Sequence, residues 1–325
     1  MNGAAGSADR ITERIERLKQ LDGAVRSPAP PLPRSAKIEL TSRCNYACRF
    51  CASHLRSNAR QDMPWLLYRR LARKLRSAGV EQLGLFYIGE SLLYRRLGAA
   101  VRYAKHDCGY PYVFLTTNGA LATAERVREL MLAGLDSLKF ALNFADSGQL
   151  ARGAGAASGD FDGLIRNVLD ACRIRDEVQG QTGRRCAVSA SSLLYDALQP
   201  QRMEKTLEQL KPHLDQHYWL PLYGRSQNWV SGVGAADASE PLAATGKEVP
   251  CWPLFTEAHI TADGRLAACG LDHSSRFHMG DLRTSSLRDA WHAPPFQALR
   301  AAHLGGDVSA TACAQCVAYS WNANR

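Results

Sequence analysis

From Ala36 onward, short apolar runs alternate with helical patterns, and no other feature of the chain restricts its fold as tightly. KIEL is followed by a helical pattern over 64–78, LGLFYI by one over 92–106, and YVFLTT by one over 123–133. SLKFALN then leads into 161–178, CAVSASSLL into 201–212, and HYWLPLY ends the series. Parallel strands cannot be joined by a tight turn and need a crossover, so this alternation predicts a parallel sheet with helices on its outside. Six strands suit an open or partial barrel better than a closed eight-stranded one. With 325 residues, 46% of them hydrophobic, the chain can bury one large core and a smaller one.

The flanks differ in character. Residues 8–22 place Ile11, Ile15, Leu18 and Leu21 at helical spacing, which predicts a short amphipathic helix, read as an appendage, before the Pro-rich linker SPAPPLPRS. Between about Gly224 and Pro250 the chain turns to Gly, Ala, Ser and Asn without periodicity. After it, HITADGRLAAC reads as a hairpin turned at Asp263-Gly264, and SLRDAWHAPPFQALRAAHL as helix interrupted at Pro294-Pro295. Three segments result: 1–35, a barrel over 36–235, and a C-terminal unit over 236–325.

Ten cysteines and no apolar signal core in residues 1–34 argue for metal ligation in a soluble cytoplasmic protein rather than a secreted disulfide framework. No run approaches the length that spans a bilayer. The formal charge of +9 favours an anionic partner, but the basic residues are scattered, so nucleic acid and membrane are set aside. Cys44, Cys48 and Cys51 form one group, directly after the first strand. Cys251, Cys269, Cys313 and Cys316 form another, while Cys108, Cys172 and Cys186 stand alone and read as small core residues. Three thiolates on one loop can hold a four-iron cluster with one iron left open to a non-protein ligand. They also fit a zinc site completed by His54, and the group of four fits zinc or a cluster equally.

The spacing C-x3-C-x2-C, with Phe50 before the third cysteine, resembles the signature of the radical S-adenosylmethionine (SAM) superfamily, and it occupies the same loop. Tyr87-Ile88-Gly89-Glu90-Ser91 is similar to that family's Gly-Gly-Glu-Pro motif, with Ile88 and Ser91 replacing a Gly and the Pro. Thr116-Thr117-Asn118-Gly119 is similar to its Thr-Asn-Gly turn. Phe140-Ala141-Leu142-Asn143 aligns with a Ser-Leu-Asp-Gly pattern, although Ala141 and Asn143 stand where Ser and Asp are usual. The segments around Asp263-Gly264, Met279-Gly280-Asp281-Leu282 and Ser286–Trp291 resemble the auxiliary-cluster domains called SPASM and twitch, in the shorter one-cluster form.

The resemblance implies a partial (β/α)6 TIM-type barrel with a small C-terminal α+β cluster domain, two [4Fe-4S] clusters and bound SAM. It implies Cys44, Cys48 and Cys51 as ligands of the SAM cluster, and Cys251, Cys269, Cys313 and Cys316 as ligands of the auxiliary one. Phe50, Gly89, Glu90, Ser91, Asn118 and Asn143 become candidate SAM contacts. Ser189 and Ser191, near the end of the fifth strand, join them as hydroxyls for the SAM ribose or carboxylate. Tyr223 and Arg225, after the sixth strand, are candidate substrate-facing residues. The expected activity is hydrogen-atom abstraction from a polar small molecule, such as a sugar or aminocyclitol, leading to oxidation or epimerisation with electrons from a donor protein. Modification of a peptide side chain is an alternative reading, and a zinc-stabilised binding protein is one of another class.

Overall fold

The structure is a computed structural model and describes residues 10–51, 60–157, 160–221, 250–270 and 277–315. Its elements run in order from α1 (Ile11–Lys19) through β1 (Ser35–Ile38), α2 (Trp65–Ser77), β2 (Gln82–Gly84), α3 (Leu97–Arg102) and β3 (Tyr112–Thr117). They continue with α4 (Ala124–Leu132), β4 (Ser137–Ala141), α5 (Ser147–Ala154), α6 (Asp160–Thr182), β5 (Ala187–Leu194), α7 (Gln199–Leu210) and β6 (Gln216–Pro221). Then follow α8 (Pro253–Thr256), β7 (Glu257–Ile260), β8 (Arg265–Ala267), β9 (His278–Asp281), α9 (Leu287–Trp291) and α10 (Pro294–Leu304).

β1 to β6 pair in parallel and in chain order, as the alternation requires. Each strand divides its residues between two faces. On β3, Val113, Leu115 and Thr117 are buried toward the helices, while Tyr112, Phe114 and Thr116 are half-buried on the other side. That second face lines a lumen. Helices α2, α4 and α6 supply Leu71, Leu75, Leu130, Leu164 and Val168 to the outer core.

The C-terminal strands continue this sheet. β7 pairs in parallel with β1 through Ser35↔Glu257 and Lys37↔His259, and β8 and β9 follow antiparallel, giving the order β6-β5-β4-β3-β2-β1-β7-β8-β9. The hairpin turns where expected, with Gly264 at φ +88, a conformation that disfavours a side chain. The expected boundary at 235/236 falls among residues 222–249, outside the described residues.

Two readings of the flanks change. The amphipathic helix α1 is no appendage. Its Ile11, Ile15 and Leu18 close the base of the lumen, beside Gln82 and Tyr112 at the starts of β2 and β3. Thr12 and Gln216 exchange hydrogen bonds, and Thr256 Oγ1 donates to Leu18 O (2.8 Å). The Pro-rich segment is docked as well. Prolines lack N–H groups and leave their carbonyls seeking donors. Trp291 Nε1 donates to Pro31 O (3.1 Å), His292 Nε2 meets Pro30 O (2.8 Å), and Arg300 reaches Pro28 O (3.3 Å).

The pattern over 92–106 resolves into three pieces: a 3-10 turn at Ser91–Leu93, α3, and a π-helical turn at Tyr103–Asp107. Cys172 and Cys186 are buried and Cys108 packs on the core. No described helix is long and apolar enough to cross a membrane.

Candidate active site

The loop leaving β1 carries Cys44, Cys48 and Cys51. Cys51 N donates to Cys48 O (2.9 Å), and the loop is pinned to the end of α5 by Ala47 N to Ala154 O (2.9 Å) and Arg49 N to Gly153 O (2.8 Å). Phe50 packs on Phe144 and Tyr195, with ring centroids 6.0 and 5.8 Å away. On the loop's other flank Arg43 pairs with Asp62 (2.8 Å) and donates to Leu93 O (3.1 Å). Burial pushes the Cys44 and Cys48 thiols up, and the charge of Cys51 raises both further. Ionising Cys44 and Cys48 there is costly without a cation beside them, and a metal centre removes that cost.

Glu90 ties three strand ends together. Its Oε1 accepts from Leu92 N (2.9 Å) and Thr117 Oγ1 (2.8 Å), and its Oε2 from Asn118 N (2.8 Å). A carboxylate has about four lone-pair sites, so Oε2 keeps one for a further donor. Burial raises the Glu90 pKa, and these donors oppose the shift. Gly89 is demanded by space. A Cβ there would lie 2.1 Å from Thr41 O and 2.7 Å from Arg43 O. This close approach to the cysteine loop lets Glu90 N donate to Arg43 O (2.8 Å). Ser91 Oγ donates to Leu85 O (2.7 Å), closing the end of β2. Asn118 reaches the cysteine loop directly, with Nδ2 2.9 Å from Asn45 Oδ1 and 3.9 Å from Cys44 Sγ. Phe50, Gly89, Glu90 and Asn118 therefore gather around the three cysteines, while the Ser91 hydroxyl is turned to the strand.

Asn143 follows β4, its N donating to Ala141 O (3.1 Å). Ser189 and Ser191 lie on the lumen side of β5, in register with Lys139 and Ala141 of β4 and with Gln216 and Tyr218 of β6. Both serines are buried, and Ser191 hydrogen-bonds to Tyr218. The lumen also holds Lys139, level with Ser189, and Lys37 and Glu257 nearer the strand N-termini, none of which carries a motif in the sequence. Glu257 Oε2 takes Lys37 Nζ (2.7 Å) and His259 Nε2 (3.0 Å), and Oε1 takes Ser35 Oγ (3.2 Å). Their signal was a charge within a strand that a parallel sheet would otherwise make wholly apolar. Tyr223 and Arg225 lie outside the described residues.

The second cysteine group is carried by the C-terminal region. Cys251 precedes α8 and its N donates to His303 Nδ1 (3.3 Å). Cys269 lies two residues beyond β8, and its carbonyl accepts from Tyr87 OH (2.7 Å) on the Gly89-Glu90 segment. The Tyr87 ring lies 5.6 Å from that of His259. Cys313 N donates to Thr311 Oγ1 (3.1 Å), and Cys316 falls outside the described residues. Among the described residues, no three Cys, His, Asp or Glu side chains form a ready site for a single metal ion.

Residues 38–174 match the model of the radical SAM superfamily, and residues 251–317 match that of SPASM, an iron–sulfur cluster-binding domain. The chain carries a radical SAM domain followed by a SPASM domain. Among curated relatives, the GTP 3′,8-cyclase of Parasynechococcus marenigrum (strain WH8102) is 38% identical over 149 residues, covering 42% of this chain and 41% of that protein. The one from Mycobacterium marinum (strain ATCC BAA-535 / M) is 30% identical over 189 residues, 57% of this chain and 48% of that protein. The chain thus spans less than half the length of these relatives. Among solved structures, BtrN in complex with AdoMet and 2-DOIA has a TM-score of 0.53 at 18% identity, covering 85% of this chain and 88% of that one. Streptococcus suis SuiB bound to S-adenosylmethionine has a TM-score of 0.61 at 14% identity, covering 89% and 71%. Both likenesses establish the fold.

A radical SAM enzyme with this C-terminal domain uses SAM and two four-iron clusters. The residues present fit them. The first loop offers three crowded thiols beside a carboxylate with one free acceptor site, and the C-terminal region offers further thiols, the soft donors that iron–sulfur clusters take.

Proposed function

We propose that this radical SAM enzyme abstracts a hydrogen atom from a polar small molecule held in the barrel lumen, with oxidation as the outcome. The observation that carries the reading is the character of the lumen. Barrels of this type usually fill their interior with branched apolar side chains. Here the inward positions include Ser35, Lys37, Thr116, Lys139, Ser189, Ser191, Tyr218 and Glu257 beside Phe86 and Phe114. Such an interior is costly to bury unless it meets polar partners, and a polyhydroxylated or charged substrate supplies them.

In this reading Cys44, Cys48 and Cys51 hold the SAM-binding cluster, and Cys251, Cys269, Cys313 and Cys316 the auxiliary one. When bound, these groups supply a 5′-deoxyadenosyl radical and an electron acceptor. The chain's own residues position and enclose. The free site on Glu90 Oε2 would accept from the ammonium of SAM, with Asn118 and Phe50 beside the same loop. Ser189, Ser191 and Asn143 offer polar contacts to SAM or substrate, with Tyr223 and Arg225 on the following segment. Helix α1 closes the base, so that a reactive species formed at the strand C-termini is kept from water. Tyr87 links the Gly89-Glu90 segment to the carbonyl of Cys269, a short connection between the two cluster regions that favours oxidation. The curated relatives are named for a nucleotide substrate, which is likewise polar and anionic. A reducing partner protein and a cytoplasmic setting complete the proposal.

The test is anaerobic iron and sulfide analysis of the wild type beside a Cys44/Cys48/Cys51→Ala variant, with dithionite-driven formation of 5′-deoxyadenosine measured in both. About eight irons should fall to about four, with 5′-deoxyadenosine lost. Zinc in place of iron, or 5′-deoxyadenosine unaffected by the variant, would sink the reading. A product with as many hydrogens as its substrate would replace oxidation by epimerisation or rearrangement.

A further inference from the structure

From the level of Ser189 and Ser191 down to helix α1 the lumen holds a cavity of about 120 Å³, room for several waters or a small polar group. Its floor is helix α1, through Ile11, Ile15 and Leu18, and its walls include Gln82 and Tyr112 at the strand N-termini. The cavity runs from Lys139 and Tyr218 at mid-strand to α1 at the strand N-termini, the end of the strands away from the cysteine loop.

The charges around it do not balance. Three cations line the cavity, Arg14, Lys37 and Lys139, against one carboxylate, Glu257. That carboxylate is already committed to Lys37, His259 and Ser35. Arg14 lies over the Tyr112 ring, its guanidinium carbon 3.4 Å from the centroid. Among the described residues Lys139 forms no ion pair, and the one carboxylate whose charge reaches it is Glu257. The Lys139 Nζ meets Tyr218 OH at 3.4 Å and lies 5.8 Å from the centre of that ring. Burial and the charge of Lys37 push the Lys139 pKa down to about 8. An enclosed amine that faces a cavity and shares its only nearby carboxylate with Lys37 and His259 is costly unless an anion arrives to pair with it.

We infer that this cavity in the lumen is an oxyanion subsite, with Lys139 as its principal ligand and Tyr218 OH as a second donor. It takes a carboxylate or phosphate at the end of the substrate remote from the reacting carbon. The inference rests on the lumen being the substrate site. An anion so placed gains two donors and the excess positive charge of the wall, and it fixes the height at which the rest of the substrate projects toward the strand C-termini. Orientation of this kind is a main route by which a bound substrate becomes reactive. Lys139 is then a specificity residue: a neutral analogue lacking the anion would leave the amine buried and unpaired.

The experiment uses the full chain without clusters and two probes, inorganic phosphate and acetate. Acylation of Lys139 by an amine-reactive reagent is followed by peptide mass spectrometry, with exposed Lys211 as internal control. Saturable protection of Lys139 of tenfold or more by one of the anions, with Lys211 unaffected, is the expected result. The effective anion tells carboxylate from phosphate. Calorimetric titration should show binding lowered at least tenfold in Lys139→Met and retained in Lys139→Arg. If Lys139→Met does not fold, the labelling result stands alone. Protection by neither anion, or equal protection of Lys211, overturns the subsite. Because no cluster is needed, loss of the radical reading would leave Lys139 protection intact, whereas 5′-deoxyadenosine formation without protection would remove only the subsite.

Discussion

Replacing Gly89 with alanine tests whether the cysteine loop and the Glu90 segment are fitted to each other. The added Cβ would lie 2.1 Å from Thr41 O and 2.7 Å from Arg43 O, both backbone atoms with no rotamer to yield. Relief requires the two segments to part by roughly 1 Å, an overpacking cost of about 1–3 kcal/mol. Parting also breaks the 2.8 Å hydrogen bond from Glu90 N to Arg43 O, about 1 kcal/mol more. A loss of about 2–4 kcal/mol is therefore expected in urea unfolding of the cluster-free protein. The same displacement moves Cys44 against Glu90 and Asn118, so reconstituted Gly89→Ala should lose iron from the first cluster and keep the second. Gly180→Ala is the control. Gly180 lies near the exposed end of α6 with nothing within 4 Å of a Cβ, so the same change there should stabilise by about 0.5–1 kcal/mol. A Gly89→Ala protein with wild-type stability and full iron would refute the fitted-interface argument.

Three further outcomes follow from the same contacts. Ile15→Asp places a carboxylate on the half-buried face of α1 and should cost about 1–2 kcal/mol, with faster hydrogen exchange in α1 and Trp252 more accessible to a fluorescence quencher; unchanged exchange would mean that α1 does not seal the base. Arg300→Met strips donors from Leu254 O (2.8 Å), Trp291 O (2.6 Å) and Pro28 O (3.3 Å) and should cost about 3 kcal/mol or more, with the Pro-rich segment becoming sensitive to protease, and a protease-resistant segment would count against its clamping. His217, against Ser192 Oγ (2.9 Å), is held neutral by burial with its pKa lowered from 6.5 to about 4. The unfolded chain thus binds the extra proton first, so this contribution is complete above about pH 6.5 and is lost as pH falls toward 4, at no more than roughly 1.4 kcal/mol per pH unit. His217→Gln should flatten that part of the stability profile, and an identical slope in the variant would exclude His217 as its source.

What could be read in the sequence, and what could not, divides along the range of the interactions. YVFLTT is β3 residue for residue, because a buried parallel strand is an apolar run bounded by turns, and the Asp263-Gly264 turn is a local matter of φ. The helical pattern over 92–106 was misleading, since apolar periodicity does not register the extra residue of the π turn at Tyr103–Asp107. α5 was missed because SGQLARGA carries two glycines and only eight residues, yet it anchors the cysteine loop. The pairing of β7 with β1 joins residues more than 200 positions apart, and nothing local marks it.

The same division explains which site residues were legible. The cysteines, Glu90 and Asn118 stand out because they match patterns of fixed residue types at fixed spacing on loops at strand ends. Lys139, Glu257 and Lys37 do not, because their meaning depends on a wall that segments distant in sequence build together. Lys139 is one charge in SLKFA until β3, β5 and β6 enclose it, and the enclosure acquires a floor only when α1 returns across the strand N-termini. Loop motifs thus report the chemistry that relatives share. Charges inside strands acquire a meaning only once the wall they line is built.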